Sequence, residues 1–288
     1  MSDATPFINP TSTSLSANLP FPMRVVGLIP AGGTGSRISP LPGSKELFPV
    51  GFQTLGDRSG LRPKVVSHYL IEKMAQAGMT EAFVILRPGK WDIPEYFGDG
   101  AGVGLHLAYL TIHVPYGVPF SLHQAYPFLR DVAVAIGFPD ILFTPNDAYS
   151  RLLKRLFAGQ SDVVLGLFPT DQPEKVGVVE YDARGNVSAI LEKSTRTDLL
   201  YMWAIAVWKP SFTHFLHKFV QTRLDAVLGD RIPQWLTSLP EMTEIPIGDV
   251  IQAAIDEGFH VEAEVFEEGS YLDIGTPENL VQAVRSGW

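Results

Sequence analysis

Residues 25–37 read Val25-Val26-Gly27-Leu28-Ile29-Pro30-Ala31-Gly32-Gly33-Thr34-Gly35-Ser36-Arg37, and the fold follows from this stretch. The apolar run is too short for a helix and is stopped by Pro30, so it predicts a buried parallel strand feeding a glycine loop. Such a loop lets backbone N–H groups face a phosphate with no side chain in the way. Two familiar versions fail on spacing. A dinucleotide fingerprint starting at Gly33 needs glycine at 38, where Ile38 stands. A P-loop needs four residues between its first glycine and a Gly-Lys-Ser/Thr, and no such run exists here.

Working outward, Val65 to Ala77 has helical apolar spacing and ends at Gly78. Short apolar runs at 82–86, 105–112, 132–136 and 163–168 read as further strands, with a helix over 148–157. Strands separated by helices predict an α/β fold: a Rossmann-like, mixed and mostly parallel sheet flanked by helices. The second half adds a hairpin, 177–181 and 187–191 around Asp182-Ala183-Arg184-Gly185-Asn186, and a strand over 201–208. Helices are expected around 212–228 and 250–257, a strand over 261–266 and a closing helix over 277–284. Between Leu224 and Ile247 the periodicity is weak, and no internal repeat is visible.

Composition narrows the function. The 288 residues carry 22 Lys plus Arg against 31 Asp plus Glu, a formal charge of −9 that disfavours nucleic acid and anionic membrane as partners. With no cysteine, disulfides, thiolate nucleophiles and Cys-based metal sites are excluded. No run of 18 apolar residues suggests a membrane span, and a cytoplasmic protein is expected. Residues 1–22 are rich in Ser, Thr, Asn and Pro, with neither a basic nor an apolar targeting region. They read as a flexible arm, or as an over-long start before Met23, ahead of one domain over 23–288.

Past the glycine loop, Arg37 is followed by Ser44-Lys45-Glu46-Leu47-Phe48-Pro49-Val50. An Arg and a Lys on one phosphate loop supply cationic donors to a triphosphate. Here the chain resembles the sugar-nucleotide pyrophosphorylases, the glucose-1-phosphate thymidylyltransferases and uridylyltransferases, from Met23 to about Ala283. Phe97-Gly98-Asp99-Gly100, His123-Gln124-Ala125, Phe138-Pro139-Asp140, Val176-Gly177-Val178-Val179-Glu180, Leu191-Glu192-Lys193 and Tyr271-Leu272-Asp273-Ile274-Gly275-Thr276 fall in that family's order.

The resemblance implies transfer of a nucleotidyl group from an NTP, dTTP or UTP, to a sugar 1-phosphate. It assigns Arg37, Lys45 and Lys193 to catalysis, and Ala31, Gly32, Gly33, Gly35 and Gln124 to the nucleotide. Gly177, Glu192, Lys193 and Trp203 would take the sugar phosphate. Asp140 and Asp273, 133 residues apart, would share one Mg²⁺, a hard ion suited to carboxylates, phosphate oxygens and water. It also suggests a homo-oligomer.

Pocket positions depart from the family. Trp203-Ala204 replaces a small Thr-Gly pair, Ser194 follows Glu192-Lys193 where proline is usual, and Ser121 or Leu122 stands nearest a usual glycine. A noncatalytic sugar-nucleotide sensor is therefore the rival reading. His214 and His217, three apart, read as a polar helix face and not a metal site, and His106 and His113 as structural.

Overall fold

The computed structural model of the protein describes residues 21–54, 60–114, 116–196, 198–228, 243–286 and 288. Its strands are β1 (Val25–Pro30), β2 (Pro49–Thr54), β3 (Leu61–Val65), β4 (Glu81–Leu86), β5 (His106–Thr111), β6 (Ala133–Ile136) and β7 (Ile141–Thr144). They continue with β8 (Val163–Pro169), β9 (Gly177–Tyr181), β10 (Val187–Glu192), β11 (Tyr201–Trp208), β12 (Val261–Val265) and β13 (Ser270–Asp273). The helices are α1 (Val66–Gln76), α2 (Asp92–Phe97), α3 (Val118–His123), α4 (Tyr126–Leu129), α5 (Ala148–Ala158), α6 (Pro210–Leu228), α7 (Ile247–Asp256) and α8 (Pro277–Ser286).

Nine strands form the central sheet, and its parallel core runs β6-β1-β4-β5. Antiparallel β11 lies along β6 through residues 206–208 and along β8 through its whole length, and β12 adds to β8 in parallel. The β9–β10 hairpin joins at Met202, opposite Val178. The expected mixed, mostly parallel sheet is what forms.

The continuous apolar runs of β1 and β6 follow from burial on both faces. Val25 and Ile29 with Ala133 and Ala135 enter one core, shared with Leu70 and Met74 of α1 and Leu152 of α5. Their neighbours Val26, Leu28, Val134 and Ile136 enter the other, with Phe120 of α3, Phe212 and Leu216 of α6 and Val250 of α7. The period of two thus sorts one strand between two helical layers.

Three features depart from the sequence reading. The β2–β3 hairpin and the β7–β13 ladder carry no strong alternation, and they form because α1 and α8 give them a small third core of Val50, Tyr69, Leu142, Leu272 and Ala283. Phe21, assigned to the flexible arm, packs its ring 5.4 Å from that of Phe157, so ordered packing begins before Met23. The rest of the arm, residues 1–20, and most of the weakly periodic stretch, 229–242, lie outside the described residues. No helix among the described residues is long and apolar enough to cross a membrane.

Candidate active site

Three of the parallel strands, β1, β4 and β6, run forward from a common edge, and β6 lies on the opposite side of β1 from β4. The order of chain connections therefore reverses between β1 and β6, where open α/β sheets form a crevice at their carboxyl ends. A cleft of about 800 Å³ lies there. Its wall includes Pro30 ending β1, Arg87 just after β4, Ile112 just after β5 and Phe138 just after β6.

The glycine loop lines this cleft with Gly32, Gly33 and Gly35. Ala31 does not reach it. Its N–H donates to the Ile85 carbonyl at 2.8 Å and its methyl is buried in the core, so it finishes the strand. Lys45 lines the cleft beneath the loop, and a Cβ on Gly33 would stand 3.4 Å from its Nζ. That ammonium donates to Asp140 Oδ2. Burial opposes the Lys45 charge, but Asp140, and behind it Glu46 and Asp273, hold its pKa above the ordinary lysine value.

The β7–β13 ladder brings the distant aspartates together. Asp273 lies opposite Ile141 in register, and Ile274 N–H donates to the Asp140 carbonyl at 3.1 Å. Asp273 Oδ1 accepts from Gly275 N–H at 2.7 Å, and Arg37, largely exposed on its short 3₁₀ turn, sits 3.6 Å from Oδ2. Burial first, and the Asp140 charge second, push the Asp273 carboxyl up, against Gly275 N–H, Lys45 and Arg37. Among the described residues no three His, Asp or Glu side chains cluster as a cation site. The two carboxylates match the donor set of a hard cation that takes its remaining ligands from phosphate and water.

Lys193 enters from the second half of the chain. It is the only non-glycine with positive φ (50°) among the described residues, and its N–H donates to the Val176 carbonyl at 3.0 Å. This left-handed turn ends β10 and sends the side chain to the cleft wall. Beside it, the Glu192 carboxylate occupies space that only glycines leave. A Cβ at Gly177 or Gly248 would stand 2.8 or 2.1 Å from its Oε1. Burial, then Asp249, raises the Glu192 pKa. Trp203 is 7% exposed and tilts against Phe138 with ring centroids 6.2 Å apart, one layer behind the wall.

Gln124 lies elsewhere. It stands exposed at the C-terminal cap of α3, whose other end faces the cleft through Gly117, Val118 and Ser121. Gly117 has φ 103°, and its Cβ would lie 2.4 Å from the Ile245 carbonyl oxygen, so a larger residue would push Ile245 off the wall. Arg87 was not singled out from sequence, and Ser121 was noted only as standing near a usual glycine, with no role. Counting one residue past each parallel strand would have found Arg87, whereas Ser121 needs the orientation of α3.

The far side of α3 explains the histidines. His217 Nδ1 and His123 Nε2 are 2.7 Å apart, Tyr126 stacks on His217 at 3.7 Å, and the Tyr126 hydroxyl reaches His214 Nδ1 at 3.1 Å. Burial, then His217, lowers the His123 pKa from 6.5 to about 4. An unfolded histidine takes its proton near 6.5, so between these values the unfolded state binds more protons and stability falls as pH falls. Thermal midpoints measured from pH 7 down to 4 are expected to drop, and the drop should shrink in His123→Gln. An identical profile for both proteins would remove His123 as its source.

A sheet that reverses its strand order above a glycine loop, with cations and paired carboxylates around the crevice, defines a class of phosphate-handling transferases. The chain belongs to the nucleotidyl transferase family, whose model matches residues 26–286, in the sugar-nucleotide branch that its curated relatives represent. It is 26% identical over 261 residues to the low-salt glycan biosynthesis nucleotidyltransferase Agl11 of Haloferax volcanii, covering 89% of this chain and 64% of that protein. It is 25% identical over 272 residues to a glucose-1-phosphate thymidylyltransferase of Streptomyces antibioticus, covering 90% and 65%. The chain thus spans just under two thirds of the length of these two relatives. A Neisseria gonorrhoeae glucose-1-phosphate thymidylyltransferase matches at 27% over 265 residues, 89% of this chain and 80% of that one. The fold is shared with a UDP-glucose pyrophosphorylase solved with UDP-glucose, at TM-score 0.68 and 17% identity over 92% of this chain and 98% of that one.

Proposed function

We propose that the protein transfers a nucleotidyl group from dTTP or UTP to a sugar 1-phosphate, glucose 1-phosphate foremost, releasing pyrophosphate. An oxygen of the sugar phosphate attacks the α-phosphorus, the bond from that phosphorus to the bridging oxygen of the β-phosphate breaks, and pyrophosphate leaves with the electron pair. Two anions must meet, so positioning and charge neutralisation set most of the barrier.

The observation that carries this reading is the meeting of Gly32–Gly35, Arg37, Lys45, Asp140 and Lys193 around one cleft. The glycine N–H groups would cradle the triphosphate, Arg37 and Lys45 would neutralise the transferring and leaving phosphates, and Lys193 would hold the sugar phosphate. Glu192 would accept hydrogen bonds from sugar hydroxyls. Asp140 and Asp273 would hold Mg²⁺, which when bound supplies charge neutralisation to the phosphate oxygens.

Pyrophosphate release with a panel of NTPs and sugar 1-phosphates, each with and without Mg²⁺, tests the proposal. Turnover is expected with a pyrimidine nucleotide and a hexose 1-phosphate, and only with Mg²⁺. Binding of a nucleotide sugar with no turnover under any pair would favour the sensor instead.

A further inference from the structure

Lys45 sits on a segment of three residues that is tied down on both sides to one other segment. Before it, the Ser44 N–H donates to Asp92 Oδ2 and the Ser44 hydroxyl to Asp92 Oδ1, both at 2.6 Å. After it, Lys90 Nζ donates to Glu46 Oε1 at 2.5 Å. The Glu46 carbonyl also accepts from the Ser67 hydroxyl at 2.7 Å.

The Lys90–Glu46 pair is expensive where it stands. Glu46 is 1% exposed and Lys90 6%, and Glu46 Oε2 has no partner among the described residues. Burial pushes the Lys90 ammonium down and the Glu46 carboxyl up. An apolar pair of similar size would serve stability as well or better, so the ions call for another role. Lys45–Leu47 is a 3₁₀ turn, in which successive side chains diverge by about a third of a turn. With Glu46 held against Lys90 and Ser44 against Asp92, the Lys45 side chain leaves the turn about a third of a turn from Glu46, where it meets Asp140.

We propose that Lys90 and Asp92 are positioning residues that clamp the Ser44–Glu46 turn from both sides and so aim Lys45 across the cleft. The catalytic consequence rests on the proposed role of Lys45 at the triphosphate; the clamp itself does not. The same 87–92 segment supplies Arg87 and Pro88 to the cleft wall, so the clamp also ties two sides of the cleft together.

Two variants test it: the charge-free pair Lys90→Met with Glu46→Gln, and Asp92→Ala, which leaves the buried pair intact. Acetylation of the Lys45 amine by acetic anhydride, read by peptide mass spectrometry on protein without substrate or metal, reports its aim independently of turnover. It is expected to quicken about threefold or more in each variant that keeps a cooperative thermal transition, while exposed Lys154 stays unchanged. In pyrophosphate assays kcat should fall about tenfold, with the KM for sugar 1-phosphate little altered, and in a Lys45→Met background the same variants should cost nothing further. If the charge-free pair does not fold, Asp92→Ala alone decides. Unchanged Lys45 labelling in a folded variant, or losses that multiply with Lys45→Met, would overturn the clamp. A wild-type protein inactive on every substrate pair would overturn the proposed function and leave the labelling result standing.

Discussion

Asp140→Asn and Asp273→Asn should each slow pyrophosphate release by on the order of 10²–10⁴, because under the proposed function either change removes a charge opposing the same Mg²⁺. The double variant should be no slower than the worse single, since a disabled ion cannot be disabled twice. Their effects on folding should differ. Asp140 accepts the Lys45 ammonium where both side chains are mostly buried, at 14% and 13% exposed. Losing that partner should cost about 1.5–3 kcal/mol. Asp273 holds its proton more tightly folded than unfolded, through burial and then Asp140. Its ionisation therefore opposes folding as pH rises through the carboxylate range. Metal-free Asp273→Asn should keep or raise the thermal midpoint at pH 7. Equal destabilisation by both changes, or near-normal turnover of either, would break the pairing argued from the β7–β13 ladder.

Trp203→Thr is the second large expectation. The resemblance placed this indole beside the sugar, and the structure has it 7% exposed behind Phe138. Truncating so large a buried ring should cost about 3–5 kcal/mol, through lost burial and an incompletely collapsed cavity. At about 2–4 °C per kcal/mol for a large domain, the midpoint should fall by roughly 10 °C. Because Phe138 would then lean into the vacated space, the sugar 1-phosphate preference should shift while the NTP preference stays. Trp203→Phe, which keeps an aromatic contact with Phe138, should retain both stability and preference better than Trp203→Thr. An unchanged midpoint would show that the site does not depend on this packing. A lower midpoint with an unchanged sugar preference would confine Trp203 to the core.

The linear order of residues determined a good deal. The apolar runs of β1, β4, β6, β8 and β11 were legible because strands buried on both faces must be apolar throughout. The glycine loop was legible because glycine is the residue that leaves a backbone open to an anion. Arg37 and Lys45 lie close enough along the chain to be read with it. What only the tertiary structure decided is everything joined across the sheet. Asp140 meets Asp273 through a four-residue ladder too short and too mixed to announce itself, stabilised by α1 and α8 from outside. Gln124, placed by motif beside the nucleotide, sits instead at the exposed end of α3, because a helix presents only one of its faces to a cleft. Nothing in the sequence marks Lys90, which the fold buries against Glu46. Local sequence specifies local backbone, whereas burial, and with it the pairing of charges far apart along the chain, arises only when the layers close.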